Sequence, residues 1–153
     1  MAKGEFDNDI KVGEKFELET RDFLNRTRLN CNFIKIEGYF LDYDLICKHC
    51  NTKIECKHDH KGKYTGNFFF EKKLLELSTC DYLYHQTQDT RTYVFKFNEL
   101  KDILRQFYKD GIKYTKAQNA DNSEGMIVPI DMLRGIWHIE NYEQSGNNEI
   151  TYF

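Results

Sequence analysis

The chain has 153 residues, with a hydrophobic fraction of 40% and an aromatic fraction of 15%, enough to build a core and to exclude a disordered protein. Five Cys, an odd number, predict reduced thiols in a cytoplasmic protein. The N-terminus "MAKGEFDNDIKVGEKFE" has no apolar stretch, and no apolar run approaches about 18 residues, so we expect no secretory signal and no membrane partner.

The net charge of −3 is distributed unevenly along the chain. The segment 47–73 contains seven Lys and three acidic residues, a net charge of +4, so the rest of the chain carries −7. A basic segment in an acidic protein suits contact with nucleic-acid phosphates, although a solvated lysine-rich face has the same composition.

The predicted elements alternate between helices and strands. In chain order we expect a helix over 11–27, strands within 31–47 with a turn or bulge at Gly38, a strand over 51–59, a helix over 66–80 with a stripe of Phe70, Leu74 and Leu77, strands at 81–86 and 92–97, and a helix over 98–111. Asn98 should cap the last of these helices, and Gly111 should end it. A short strand, Pro129 and a helix capped by Asp131 follow.

This order favours an α/β fold, an α+β arrangement around a mixed sheet with helices on both faces. We expect one domain over 1–153, with a core at about 11–97 and a C-terminal β/α extension over about 98–153.

Two adjoining strand segments, "LDYDLIC" and "NTKIECKHD", carry an unusual number of charges. If the hairpin turns about His49–Cys50, residue 44 pairs with 55 and residue 42 with 57. Because strand side chains alternate, one face then collects Asp42, Asp44, Glu55 and Lys57. The other face collects the apolar residues Leu41, Tyr43, Leu45, Ile54 and Cys56.

Carboxylates this close together repel each other, which raises a pKa or requires a cation. Mg²⁺ prefers oxygen ligands at about 2.0–2.1 Å, and Mn²⁺ can take its place. We therefore predict a metal site on Asp44, Glu55 and the backbone carbonyl of Cys56. Lys57 would orient a water or stabilise charge on a phosphate, which is the chemistry of phosphodiester hydrolysis.

The segment "DYDLICKHCNTKIECK" resembles the signature of the PD-(D/E)XK nuclease superfamily, in which Asp ends one strand and Glu-x-Lys lies on the next. The element order resembles that family's restriction-endonuclease-like core, αβββαβ. The resemblance implies a Mg²⁺-dependent DNA endonuclease with Asp44 and Glu55 as metal ligands and Lys57 as catalytic lysine. Tyr43 stands where the family has Pro, and Asp42 remains an alternative ligand.

The family also implies an acidic residue from the first helix. Glu17 is favoured over Glu14, because resolvase-like members show Gly followed a turn later by Glu. The best match is a small phage-type or Holliday-junction-resolvase-like enzyme, in the host cytoplasm if phage-encoded. A chain this short would cut two strands as a homodimer.

The segment "HKGKYTGNFFFE" resembles the part of phage-type members that follows the catalytic lysine. Lys61 and Lys63 are predicted to contact DNA phosphates. Thr65 and Asn67 would offer an anion site at the start of the next helix, or simply cap it. Glu71 would aid the metal site or face solvent.

Two alternative functions stay open. One is a sequence-specific restriction or homing endonuclease of the same fold, which the scarcity of Arg between residues 30 and 90 disfavours. The other is a non-catalytic zinc-binding interaction module. Its candidate ligands are Cys47, Cys50, Cys56, His58 and His60. Buried core positions are the simpler expectation for Cys31, Cys56 and Cys80.

Overall fold

A computed structural model describes residues 3–37, 42–59, 66–87, 91–116 and 123–143. The helices are α1 (Lys3–Thr27), α2 (Lys72–Leu77) and α3 (Phe97–Lys109), with a 3₁₀ helix at Ile130–Leu133. The strands are β1 (Phe33–Lys35), β2 (Leu45–Cys47), β3 (Lys53–His58), β4 (Asn67–Glu71), β5 (Tyr82–Gln86), β6 (Thr92–Lys96), β7 (Thr115–Lys116), β8 (Glu124–Pro129) and β9 (Trp137–Glu140). None of the helices in this part of the chain has the length and apolar character needed to span a bilayer.

The strands form two sheets. The larger has six strands in the order β1-β2-β3-β5-β6-β9, and the smaller has three in the order β4-β8-β7. Strands β3 and β5 pair in parallel, while the other pairs of the larger sheet are antiparallel. The predicted mixed sheet in a protein of helices and strands is therefore confirmed.

The larger sheet is covered on both faces because apolar residues alternate along its central strands. On one face, α1 packs through Phe16, Phe23 and Leu24. The sheet residues beneath it are Leu45, Cys47, Ile54, Cys56, Tyr84 and Val94. The other face carries Leu83, Tyr93 and Phe95, which pack against α3 and the smaller sheet.

The segment 67–71 is a strand, so the helix predicted over 66–80 is shorter than expected. Phe68 and Phe70 are fully buried while Phe69 between them is half-buried, so burial alternates with a period of two. Strand β4 pairs along its whole length with β8. Only Lys72–Leu77 is helical, and Leu77 is exposed rather than part of an apolar stripe.

The side-chain caps predicted at Asn98 and Asp131 are wrong. Helix α3 begins one residue before Asn98, and Lys96 at its N-cap makes no side-chain cap bond. Gly111 follows the end of this helix with φ of 113°, as expected of a helix stop. Asp131 lies inside the 3₁₀ helix rather than before it.

The C-terminal part of the chain contributes to both sheets. Strand β9, which the sequence patterns did not predict, pairs with β6 at the edge of the larger sheet. The two-residue strand β7 was also missed and pairs with β8. Gly38 and Leu41 lie outside the described residues.

Candidate active site

The β2–β3 hairpin has the predicted register at its centre. Leu45 pairs with Ile54, and Ile46 pairs with Lys53. The backbone amide of Asp44 also donates to the Ile54 carbonyl, at 2.9 Å. Two residues, Asp44 and Leu45, therefore face one residue of β3, as in a β-bulge.

This bulge corrects the prediction for the residues before it. The alternation of β2 does not continue to Tyr43, which packs with the core on the opposite face from Leu45. Asp42 does not pair with Lys57. Its carbonyl instead accepts hydrogen bonds from the Ser78 hydroxyl at 2.6 Å and the Thr79 amide at 3.0 Å.

The carboxyl groups of Asp44 and Glu55 lie close enough for each to act on the pKa of the other. Asp44 Oδ2 also accepts a hydrogen bond of 2.8 Å from the backbone amide of Cys56. Glu55 is only 8% exposed, and its Oε2 atom is buried without a hydrogen-bond partner. The contact that Cys56 makes here is through its amide, so its carbonyl as a metal ligand remains a prediction.

Glu17 reaches this pair from α1. Its charge acts on both Asp44 and Glu55, and its Oε2 lies 3.5 Å from Lys35 Nζ. Glu14, one turn earlier, is exposed. The structure therefore brings the preferred acid of the first helix, Glu17, to the other two carboxylates.

Lys57 lies on the same face of β3 as Glu55 and contacts Glu71. Its Nζ is 3.5 Å from Glu71 Oε1. Burial lowers the pKa of Lys57, but the carboxylates of Glu71, Glu55 and Asp44 outweigh burial and raise it above its ordinary value. Lys57 is therefore an ammonium group. Glu71 arrives as the last residue of β4, not from within a helix as predicted.

The three carboxylates cannot all ionise without cost. Burial, followed by the charge of Asp44, raises the pKa of Glu55 to about 9 and that of Glu17 to about 7. Burial also raises the pKa of Asp44, against the opposing hydrogen bond from Cys56. A cation among these oxygens would offset both burial and repulsion.

The donor set fits a hard divalent ion. Carboxylate oxygens are the ligands such ions prefer, and the unpaired buried Oε2 of Glu55 is an oxygen that lacks a partner. Asp44 and Glu55 form the centre of the set. The oxygens of Glu17, Asp44 and Glu55 do not all lie within 4.8 Å of one another. Among the described residues, only a cluster of three cysteines has all its ligand atoms within that distance.

Two residues that the sequence analysis did not place at the site lie beside it, one next to the carboxylates and one next to Lys57. Lys35 pairs with Leu45 across β1 and β2, which brings it next to Asp44. His85 pairs with Lys57 across β3 and β5 and is buried, and burial lowers its pKa to about 3, so its ring is neutral. Their positions beside the site depend on strand pairing across the sheet, for which the local sequence carries no signal.

The predicted DNA-binding residues lie mostly beyond what the structure describes. Lys61, Lys63 and Thr65 fall outside the described residues. Asn67 begins β4 and pairs with Pro129, so it neither caps a helix nor forms an anion site at a helix start. That part of the prediction is wrong.

The cysteines group differently from the predicted zinc knuckle. Cys47 and Cys50 come together with Cys31, and the three sulfur atoms all lie within 4.8 Å of one another. Cys31 is only half-buried, so its expected core position is wrong, whereas Cys56 and Cys80 are buried as expected. Burial raises the pKa of the Cys47 thiol, but hydrogen bonds from the backbone amides of Cys50, Asn32 and His49 outweigh it and lower the pKa to about 7. His60 lies outside the described residues.

A comparison with models of known protein families finds no match, and no curated protein matches the chain.

Proposed function

We propose that this protein is a Mg²⁺-dependent DNA endonuclease of the PD-(D/E)XK type. One observation carries the proposal: Glu55 is buried with an unpaired oxygen, against Asp44 and close to the ammonium group of Lys57. Two acidic groups that resist ionisation, beside a retained positive charge, form an arrangement that suits a divalent ion and a phosphodiester.

Each side chain has a distinct task in this proposal. Asp44 and Glu55 would hold the ion, and Glu17 would contribute a further carboxylate. A divalent ion held there would neutralise charge on the phosphate and lower the pKa of a bound water. Because Lys57 is protonated, it acts as a hydrogen-bond donor that orients the water and stabilises charge on the phosphate, not as a general base.

The topology supports the same proposal. The path α1-β1-β2-β3-α2-β5, with β3 and β5 parallel, resembles the αβββαβ core of that superfamily. Strand β4 is an addition between β3 and α2, and it delivers Glu71 to Lys57. The extra strand thus makes a contact with the proposed site.

We propose branched DNA as the substrate and a homodimer as the active form, as in Holliday-junction resolvases. Cleavage of two strands by a small chain requires two sites, and a twofold dimer presents them symmetrically. Lys61 and Lys63 would supply phosphate contacts.

The test is cleavage of a four-way junction, a linear duplex and a supercoiled plasmid, with Mg²⁺ and with a chelator. Lys57→Met should lower the rate by roughly 10²–10³-fold, the usual effect of losing one preorganised donor to a reacting group. Glu55→Gln should abolish Mg²⁺-dependent cleavage, because it removes a charged ligand. Preference for the junction would support branched DNA as substrate.

Matched controls lie on β3 and on the neighbouring helix α2. Lys53 is on β3, four residues from Lys57 and on the same face, with its ammonium group 5.3 Å from the ring centroid of Tyr43. Lys53→Met should cut like the parent protein, and so should Glu76→Gln, which alters an exposed acid of α2. Equal cleavage by the parent, Glu55→Gln and Lys57→Met would overturn the proposal. A clean preference for one short duplex sequence would instead select a restriction-type enzyme.

A further inference from the structure

We propose that Cys31, Cys47 and Cys50 form a second metal site, a structural site for Zn²⁺ at the turn end of the β2–β3 hairpin. It is separate from the carboxylates. Asp44 precedes the first residue of β2 and Cys47 is its last, so about 10 Å of strand lies between the two positions.

The sulfur atoms are already close to the spacing that zinc requires. With Zn–S bonds of about 2.3 Å in a tetrahedron, the sulfurs lie roughly 3.8 Å apart. The three sulfurs here lie within 4.8 Å of one another, so small side-chain rotations would close the site. All three are free thiols, and thiolates are the ligands that select soft ions over Mg²⁺.

The backbone of the turn is arranged around Cys47. The amide of Asn32 donates a hydrogen bond of 3.4 Å to its sulfur. The Cys47 amide donates to the Thr52 carbonyl at 2.9 Å, and the Asn51 amide donates to the Cys47 carbonyl at 3.0 Å. These hydrogen bonds hold the Cys-x-x-Cys turn in one shape, with the sulfur of its first cysteine facing the other two.

A left-handed residue completes this turn. Asn51, directly after Cys50, has φ of 61°, a conformation that Asn tolerates better than most residues. It lets the chain reverse at once into β3, so the two cysteines of the turn stay at one end of the hairpin. Asn30, directly before Cys31, has φ of 59° and turns the chain after α1 in the same way.

Cys31 comes from a different part of the chain, so a metal bound to all three sulfurs would join two separate segments. It follows the end of α1, and the neighbouring Asn32 accepts a hydrogen bond of 2.8 Å from the Lys48 amide. A metal on the three sulfurs would tie α1 to the β2–β3 hairpin. Because Cys50 is exposed, the fourth position faces solvent and is open to water.

The test measures metal directly and does not depend on cleavage. The chain is expressed in zinc-supplemented medium, purified under reducing conditions and analysed for metal. We expect stoichiometric zinc in the parent protein. After replacement by Co²⁺, we expect thiolate-to-cobalt charge-transfer absorption, which carboxylate ligands do not give.

Variants separate the three cysteines from the others. Cys31→Ser and Cys50→Ser should weaken zinc binding by at least the roughly 10–100-fold that outer-shell changes cost. Cys80→Ser, which alters a buried cysteine outside the cluster, should bind zinc like the parent protein. A chelator should lower the melting temperature of the parent and of Cys80→Ser, but not that of Cys50→Ser.

Three results would overturn this site. They are absence of zinc from the reduced parent protein, a cobalt spectrum without thiolate bands, and equal zinc loss in Cys50→Ser and Cys80→Ser. A mass lower by two hydrogens in non-reduced protein without metal would also count against it, since it indicates a disulfide. Glu55→Gln should retain the zinc, so failure of the nuclease proposal would not affect this result.

Discussion

Glu55 is the side chain of the candidate site that is most costly to keep ionised. It is almost fully buried, it faces Asp44, and Glu17 adds a third negative charge nearby. Without a cation, the folded protein holds a proton at Glu55 more tightly than the unfolded chain does. This single residue therefore links metal binding, pH and stability.

The pH dependence of the metal-free protein follows from that link. Burial and Asp44 raise the pKa of Glu55 from 4.5 to about 9, so the unfolded state binds fewer protons between these values. The contribution of Glu55 to the free energy of unfolding should fall as pH rises through this window, with a slope of up to about 1.4 kcal/mol per pH unit. Chemical denaturation in a chelator at several pH values measures it.

Glu55→Gln supplies the control. Glutamine fills the same space without a charge, so the variant should lose this contribution to the pH dependence and be more stable than the metal-free parent at pH 8. Saturating Mn²⁺ should stabilise the parent but not the variant. A variant with unchanged pH dependence would show that Glu55 is not the group responsible.

At the scale of secondary-structure elements, strand β4 positions Glu71. A glycine on its partner strand, β8, sets how closely these two strands approach each other. Gly125 pairs with Glu71 across β4 and β8. A Cβ at this position would lie 2.5 Å from the Phe69 ring and 2.6 Å from the Phe70 carbonyl oxygen. The glycine is therefore required by close packing of backbone and ring.

Gly125→Ala should destabilise the protein by about 1–3 kcal/mol, the usual cost of overpacking, because the backbone of β4 must move. It should also reduce cleavage by displacing Glu71 from Lys57. Gly13→Ala is the matched control, since a Cβ there meets nothing within 4 Å and alanine favours a helix by roughly 0.5–1 kcal/mol. Thermal denaturation distinguishes them, and equal stability of both variants would contradict the packing argument.

A second contact between elements ties α1 to β9. Arg28, at the end of the helix, forms a buried ion pair with Glu140 of the edge strand. Tyr142 stacks on Phe23 with ring centroids 4.6 Å apart, and its hydroxyl lies 2.7 Å from that of Thr20. The last described segment thus closes over the helix that carries Glu17.

Glu140→Gln should cost about 3 kcal/mol, because it leaves the buried guanidinium without its charge partner. The double variant Arg28→Met/Glu140→Met should be more stable than Glu140→Gln, since it leaves no buried charge. Urea unfolding of these variants, with the exposed Glu143→Gln as control, measures both effects. A double variant no more stable than the single one would contradict this view of the pair.

Sequence reasoning predicted the hairpin well and the surrounding elements less well, for physical reasons. Alternation of apolar and charged residues fixes the central pairing of Leu45 with Ile54. The bulge at Asp44 depends on which carbonyl accepts the hydrogen bond of the Asp44 amide, and no local sequence pattern encodes that choice. "NFFFE" has the apolar content of a helix or a strand, and its pairing with β8, more than 50 residues away, decides the outcome.

The contact of Lys35 with Glu17 shows the same limit. It joins a strand to a helix that lies before it in the chain, and each residue looks like an ordinary surface charge in its own segment. Tertiary packing brings them together next to Asp44. The site centre was therefore predictable from a short motif, whereas the groups around it were not.

At the scale of the whole molecule, positive charge is concentrated in segment 47–73, where DNA is proposed to bind. The net charge of −3 would repel a polyanion, so binding must rely on local positive charge such as that of Lys61 and Lys63. Lys61→Gln and Lys63→Gln should each reduce the slope of log binding constant against log salt by about 1. Fluorescence anisotropy at several salt concentrations measures it. Lys101→Gln, on α3, is the control, and an equal change in all three variants would contradict a localised DNA contact.

The most direct test of the nuclease account is a crystal structure with Mn²⁺, collected at the manganese absorption edge. The account predicts an anomalous peak within bonding distance of Asp44 and Glu55, with the amine of Lys57 nearby. Two results would contradict it: no peak in crystals saturated with Mn²⁺, or a peak that contacts neither carboxylate.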